Sequence, residues 1–440
     1  MQTLSQLLSG QLAGATKLKL SCGLTEVPEA VFGLAETLEI LDLSGNEISS
    51  LPVHFGLLKK LKIAFFSDNR FTEFPAVLAD CPELDIIGFK ANQIASIPET
   101  ALAAHLRWLI LTNNCLETLP ASIGKCTRLQ KCMLAGNRLK ALPPEMAGCT
   151  SLELLRIAAN QLAVLPEWLY QLPRLSWLAV AGNPCCVVRE SDSSLAEINW
   201  QELQVTEQLG EGASGFVSKA LWQNSTLKGA VQEVAVKIFK GEVTSDGLPG
   251  EEMKVSMATG RHPHLVQVLG KLSGHPAQKQ GLVFDLIPPA CRNLGNPPSF
   301  VTCTRDTFPE GTSFPVASII AIARAIAGAA AHLHANSIMH GDLYCHNILT
   351  DEAGDVLLVD YGAASFYHAA HPAAAAAFER LEVRAFGCLL DDLLQHTVPV
   401  YRNHKTIIAL NQIRDTCMAG DVLQRPTFSM LTRQIDNLER

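Results

Sequence analysis

The chain has 440 residues, of which 48% are hydrophobic and 18% charged, and its formal net charge is −8. That length accommodates two or three domains, and the composition is globular, which excludes a disordered or fibrous chain. The acidic balance disfavours bulk attraction to nucleic acid or an anionic membrane, so no nucleic-acid partner is expected.

In chain order, the N-terminus MQTLSQLLSGQLAG lacks the basic flank and long apolar run of a secretory signal. A cytoplasmic location is therefore expected. The thirteen cysteines contain no CxxC pair, and adjacent Cys185 and Cys186 suit no ordinary zinc site. Cys81, Cys126 and Cys149 each stand three residues before a repeat's first leucine. That register predicts small, buried, reduced thiols in equivalent turns.

Residues 1–15 read as an N-terminal cap, and a repeat follows over 16–185. Asn46, Asn69, Asn92, Asn114, Asn137, Asn160 and Asn183 recur every 23 residues, with one step of 22. Each closes the pattern L-x-x-L-x-L-x-x-N or a near variant, as in Leu106-Leu109-Leu111-Asn114. Apolar-x-x-apolar-Pro turns follow, as in Leu139-Leu142-Pro143. One such unit cannot bury its apolar face, but a stack can, while the asparagine amide satisfies backbone groups in the turn. The pattern resembles the leucine-rich repeat and implies an α/β solenoid. Alternate strand positions face away from its core. There Ile63, Phe65, Ile86, Trp108, Ile110 and Met133 are expected to form an apolar patch on three neighbouring strands. A protein or peptide ligand, or another domain of the same chain, would cover it.

Residues 186–200 are polar and read as a linker. From residue 201 to 440 the period is gone. A strand-like run leads to Gly210-Glu211-Gly212-Ala213-Ser214-Gly215, and a second run follows. About twenty residues on stands Val234-Ala235-Val236-Lys237. Glycines between two strands, followed by a strand lysine, differ from a dinucleotide fingerprint, which needs a helix after the glycines. Glu251 and Glu252 open the next helical run, with spacing that favours Glu252 as the lysine's partner. The oiliest stretch, 316–335, carries Arg324 and two histidines, so a buried core helix is expected and no transmembrane segment. His340-Gly341-Asp342-Leu343-Tyr344-Cys345-His346-Asn347 follows, then Asp360-Tyr361-Gly362.

Residues 203–438 thus resemble the protein kinases. Together the two halves resemble leucine-rich-repeat protein kinases of the membrane-free, bacterial kind. The resemblance implies a two-domain chain, an α/β repeat solenoid followed by an α+β bilobal kinase fold. It implies ATP held by Gly210, Gly212, Gly215, Val217, Ala235, Lys237 and Glu252, with a hinge at Asp285 and Ile287. Asp342 would accept the proton of a substrate hydroxyl, and Asn347 and Asp360 would hold Mg²⁺ or Mn²⁺. The implied activity is transfer of the ATP γ-phosphate to a protein, in signal transduction.

Several positions depart from the family. Gly341 replaces the arginine that usually contacts a phosphorylated activation loop. Tyr344 replaces the lysine usual in serine/threonine kinases, and His346 stands where many tyrosine kinases have arginine. This loop does not decide the hydroxyl class; serine or threonine is the working expectation. The segment 362–382 is short, carries five consecutive alanines and has no Ala-Pro-Glu motif. The insertion at 292–315 supplies substrate contacts or is a surface loop. A pseudokinase scaffold that binds nucleotide without efficient transfer, and a small-molecule kinase, are the alternatives.

Overall fold

A computed structural model of the chain describes residues 2–186, 195–223, 231–241, 243–368, 372–401 and 404–439. It divides into two compact units, Met1–Arg174 with Asn183–Cys185, and Leu175–Gly182 with Cys186–Arg440.

The first unit opens with a short helix, α1 (Leu4–Leu8), closed by a capping box between Thr3 and Gln6. Seven three-residue parallel strands follow. They are β1 (Lys17–Lys19), β2 (Ile40–Asp42), β3 (Ile63–Phe65), β4 (Ile86–Gly88), β5 (Trp108–Ile110), β6 (Lys131–Met133) and β7 (Leu154–Arg156). The return segments are 3₁₀ turns that begin after the repeat prolines, for example Ala76–Asp80 and Ala121–Lys125. The asparagines tie one repeat to the last. Asn69 Oδ1 accepts the Ile48 amide at 2.9 Å, and its Nδ2 donates to the Leu43 carbonyl at 2.9 Å. Asn92, Asn114, Asn137 and Asn160 repeat both bonds. All backbone groups so satisfied are buried, which is where an unmade hydrogen bond is most costly.

Between the strands and the turns lies a core of leucines with a phenylalanine cluster, Phe55, Phe66, Phe71, Phe74 and Phe89. Phe66 and Phe89 stack with centroids 5.0 Å apart. Cys81, Cys126 and Cys149 are buried free thiols whose Sγ atoms lie against carbonyls of the preceding turns. Burial pushes Cys81 and Cys126 up to about 11.

The apolar patch departs from expectation. Its six residues occupy four strands, β3 to β6, and Ile63 and Ile86 are buried rather than presented. The Phe65 ring lies across Gly88, 2.7 Å from where a Cβ would be. Ile63, Ile86 and Trp108 are neighbours in register and cover one another. The Lys131 ammonium sits 4.2 Å from the Trp108 ring centroid, which places a cation on the patch.

The second unit begins with β8 (Trp177–Ala179), every residue of which is buried. The sequence period places this strand in the repeats; by its contacts Leu175–Gly182 groups with the second unit. Part of the expected linker, 187–194, lies outside the described residues. Another part is a strand, β9 (Ala196–Asn199), whose one buried side chain is Ile198. A single inward residue among polar neighbours leaves no periodicity to read.

β10 (Leu203–Glu211), β11 (Gly215–Gln223) and β12 (Val231–Phe239) form an antiparallel meander. Helix α2 (Pro249–Ala258), β13 (Val268–Ser273) and β14 (Gly281–Asp285) complete this half. The sheet runs β10-β11-β12-β14-β13-β9, with β9 parallel to β13. Val234, Val236, Leu272, Val283 and Ile198 fill one core cluster.

Beyond it the unit is mostly helical. Short strands β15 (Arg292–Asn293), β16 (Ile338–Met339), β17 (Ile348–Thr350), β18 (Val356–Leu358) and β19 (Ser365–Phe366) frame the loops after helix α3 (Val316–Ala335). Helices α4 (Pro372–Gln395), α5 (Lys405–Cys417) and α6 (Phe428–Asp436) follow. By length and composition α3 is apolar enough to cross a membrane, alone among the described residues. It is packed inside this unit, with Ile319, Ala323, Ile326, Ala330 and Leu333 fully buried.

Candidate active site

The glycine-rich turn joins β10 to β11. Gly215 is required sterically, since a Cβ there would meet the Ile238 carbonyl at 2.5 Å. Gly210 and Gly212 have open space around them, so their backbone is accessible to a ligand. Lys240 braces the turn: its ammonium donates to Glu211 at 2.6 Å and to the Gly212 carbonyl at 3.1 Å. Sequence reading passed over Lys240, which lies outside the motif.

Val217 pairs with Lys237 across β11 and β12, and Ala235 is buried two residues before the lysine. The Lys237 ammonium forms an ion pair with Glu252 of α2. Glu251 pairs instead with Lys254. Glu252 is 4% exposed, and burial raises its pKa, with the Lys237 charge opposing and the Asp360 charge adding to the rise. Asp285 ends β14 on the exposed side, and Ile287 is half-buried just beyond it.

The segment 340–347 is held from several sides. His340 is fully buried; its Nε2 lies 3.1 Å from the Val359 carbonyl and its Nδ1 accepts the Asp342 amide at 3.3 Å. This network assigns the proton to Nε2. Asn347 Nδ2 donates to the Asp342 carboxylate and to the Asp342 carbonyl, both at 2.9 Å. Asp342 and Asn347 are therefore held together as one unit.

Glu382 of α4, which sequence reading missed, anchors this loop from beneath. Its carboxylate accepts the Gly341 amide at 2.7 Å, the His340 amide at 3.1 Å and His334 Nε2 at 2.8 Å. The side chain is 1% exposed. Burial would raise its pKa, but the His334 hydrogen bond and neighbouring histidines hold it below the usual carboxylate value. His346 is likewise held by a residue that had no signal. Asp306, from the 292–315 insertion, accepts the His346 amide at 3.0 Å and lies 2.6 Å from His346 Nδ1. Arg305 beside it is tied to Asp391 and Asp392 of α4. The insertion is thus anchored on the loop.

Asp360 is exposed and adopts φ 65°, a left-handed conformation rare outside glycine that clusters at functional sites. Its Oδ1 accepts the Gly362 amide at 2.9 Å. Tyr361 is buried beneath it, near His340. The helix α4 begins at Pro372, so the alanine run is helical and the segment after Gly362 is shorter than the sequence implied. Its residues 369–371 lie outside the described residues.

Among the described residues no group of three or more His, Cys, Asp or Glu is arranged to hold a metal. The exposed Asp360 carboxylate and the Asn347 amide oxygen are a sparse, hard-oxygen donor set. That set suits Mg²⁺, which keeps waters and shares its shell with phosphate oxygens.

Residues 203–384 match the family model for protein tyrosine and serine/threonine kinase. They form a protein kinase domain. Residues 37–58 match the model for the Leucine Rich Repeat. Over 169 residues the chain is 29% identical to a putative serine/threonine-protein kinase/receptor of Acanthamoeba polyphaga mimivirus, covering 38% of this chain and 9% of that protein. A non-receptor tyrosine-protein kinase of Mus musculus is 31% identical over 162 residues, 36% of this chain and 22% of its own. The putative cyclin-dependent kinase F-2 of Oryza sativa subsp. japonica is 25% identical over 248 residues, 51% of this chain and 72% of its own. The chain spans less than a quarter of the length of the first curated relatives it matches.

Proposed function

We propose that the kinase domain transfers the γ-phosphate of ATP to a protein hydroxyl, of serine or threonine, the class named in the mimivirus relative. The observation that carries this reading is the Lys237–Glu252 ion pair, formed in the same unit as the Asp342–Asn347 hydrogen bond. Phosphoryl transfer depends on positioning and charge neutralisation, and the lysine–glutamate pair must be in place for it. Lys237 carries the cation for the α- and β-phosphates, and the open backbone at Gly210 and Gly212 covers them. Asn347 and Asp360 would hold Mg²⁺ or Mn²⁺, which neutralises charge on the phosphates when bound. Asp342, oriented by Asn347, accepts the proton of the attacking hydroxyl.

The thirteen free cysteines support a reducing, cytoplasmic compartment. The repeat unit binds a protein or peptide through the half-buried part of its patch, Phe65, Trp108, Ile110 and Met133, and so directs signalling. Pairing of repeats and kinase without a long apolar stretch at 186–202 is the arrangement of the bacterial-type family to which we assign it. The short segment after Gly362 favours, as a second reading, a small-molecule hydroxyl as acceptor.

The test is radiolabelled transfer from ATP by the full chain to itself, to casein and to small polyols. Asp342→Asn should lower transfer at least about 1000-fold while nucleotide binding persists, as expected for loss of a base that acts with its positioned partner. Label on polyols alone would establish the second reading. Wild-type rates in Asp342→Asn would remove the assigned role.

A further inference from the structure

Gly341 departs from the family by lacking a side chain beside the catalytic aspartate, and the structure supplies a reason. Its φ is +74°, and a Cβ there would stand 2.6 Å from the Leu178 carbonyl and 2.7 Å from the Ala363 carbonyl. The Leu178 carbonyl belongs to β8, the strand the sequence counts as the last repeat. Two residues of β8 and its approach make further bonds to the loop and to α4. Trp177 Nε1 donates to the Leu343 carbonyl at 2.9 Å. The Trp177 indole stacks on the Tyr344 ring, with centroids 4.2 Å apart and planes 7° from parallel. Arg384 of α4 donates to Ser176 Oγ at 2.6 Å. Tyr344 in turn lies 4.8 Å from the His346 ring, which Asp306 holds from the other side.

We propose that segment 175–182 is a positioning element of the catalytic loop, with Trp177 as its key residue, holding Gly341–Tyr344 in register without a phosphorylated activation loop. The proposal rests on the phosphotransferase reading of this unit. A detachable inhibitory plug would have to uncover Trp177, 1% exposed, and its stacking partner Tyr344, 4% exposed. It would also break a buried hydrogen bond to the backbone one residue from Asp342. Trp177 touches no reacting atom; it acts through Leu343 and Tyr344. The loop it fixes must hold Asp342 within a fraction of an ångström of the hydroxyl, and a displacement of about 1 Å costs on the order of 100-fold in rate.

The experiment uses the full chain as wild type, Trp177→Ala and Trp177→Phe. It measures steady-state transfer to casein, before and after phosphatase treatment, and amide hydrogen exchange of residues 338–348. Trp177→Ala should lower kcat about 10- to 100-fold with KM for ATP changed less than about threefold, because ground-state nucleotide contacts are untouched. The exchange of amides 341–347 should quicken, while that of the repeat asparagine ladder should not change. Trp177→Phe, which keeps the stack and loses the N–H, should fall between and guards against a misfolded alanine variant. Wild-type activity should survive the phosphatase. A rise in kcat for Trp177→Ala would show a plug and overturn the proposal. So would unaltered kcat with unaltered loop exchange, or phosphatase-silenced wild type. If the wild type transfers no phosphate, the functional reading fails, and the exchange comparison alone decides whether Trp177 positions the loop.

Discussion

Replacing Glu382 with glutamine separates the charge of this buried group from its shape. The carboxylate accepts three hydrogen bonds, two from the backbone of His340 and Gly341 and one from His334. An amide of the same size offers one oxygen and turns an NH₂ toward at least one donor. At 1% exposure no water replaces the lost acceptor. One buried donor left unsatisfied, together with weaker bonds at the others, costs about 2–3 kcal/mol. For a unit of this size that is a melting shift of about 4–12 °C. The amides in question belong to the two residues before Asp342, so kcat should fall about 10- to 100-fold as the loop relaxes. Thermal denaturation with steady-state kinetics on the purified full chain reads both effects. The folded carboxyl is held below its ordinary value, so its stabilisation is present above the unfolded value and fades as pH falls through the folded one. The glutamine variant should lose that acid limb. A melting point within about 1 °C of wild type, with unchanged kcat, would refute the anchoring role.

Asp306→Asn tests the other brace of the loop. Burial lowers the His346 pKa, but the Asp306 hydrogen bond and charge, with Asp342 and Asp360 adding, raise it overall. The pair's stabilisation is therefore complete below the unfolded histidine value and is lost as pH rises through the folded one. Proton NMR titration of His346 should move down in the variant, and its urea midpoint should drop more at about pH 5.5 than at about pH 9; equal drops would contradict the pairing. In the repeats, Asn137→Ala removes acceptance of the Leu116 amide and donation to the Leu111 and Leu134 carbonyls. Urea unfolding should show a loss of about 3 kcal/mol, and a loss below about 1 kcal/mol would argue against the ladder.

Much of this was readable from spacing. The asparagine period marks the repeats because each amide bridges backbone of successive turns, a geometry that permits no other register. Lys237, Asp342, Asn347 and Asp360 stand in motifs whose chemistry fixes residue type. Glu382 and Asp306 stand in none, for each reaches the loop across 41 or 40 residues and any carboxylate at the right place would serve. The strand Ala196–Asn199 was hidden because one buried isoleucine makes no pattern. The patch was overestimated because strand alternation says which way side chains point, while the burial of Ile63 and Ile86 depends on the neighbouring repeats that flank them in register. Segment 175–182 carries the repeat pattern faithfully, and a local pattern does not reveal that its packing partners are the catalytic loop and α4.

The hydrogen bond from Trp177 to Leu343 spans 166 residues of sequence. During synthesis at about 5–20 residues per second, the tryptophan leaves the ribosome roughly 10–30 s before its acceptor. In that interval its indole has no Tyr344 to stack on. The catalytic loop is thus finished by a piece made long before it, a non-local closure of the kind that slows folding. A nascent chain at that stage presents the indole to whatever surrounds it, and the second unit is complete only once the C-terminal half returns to claim it.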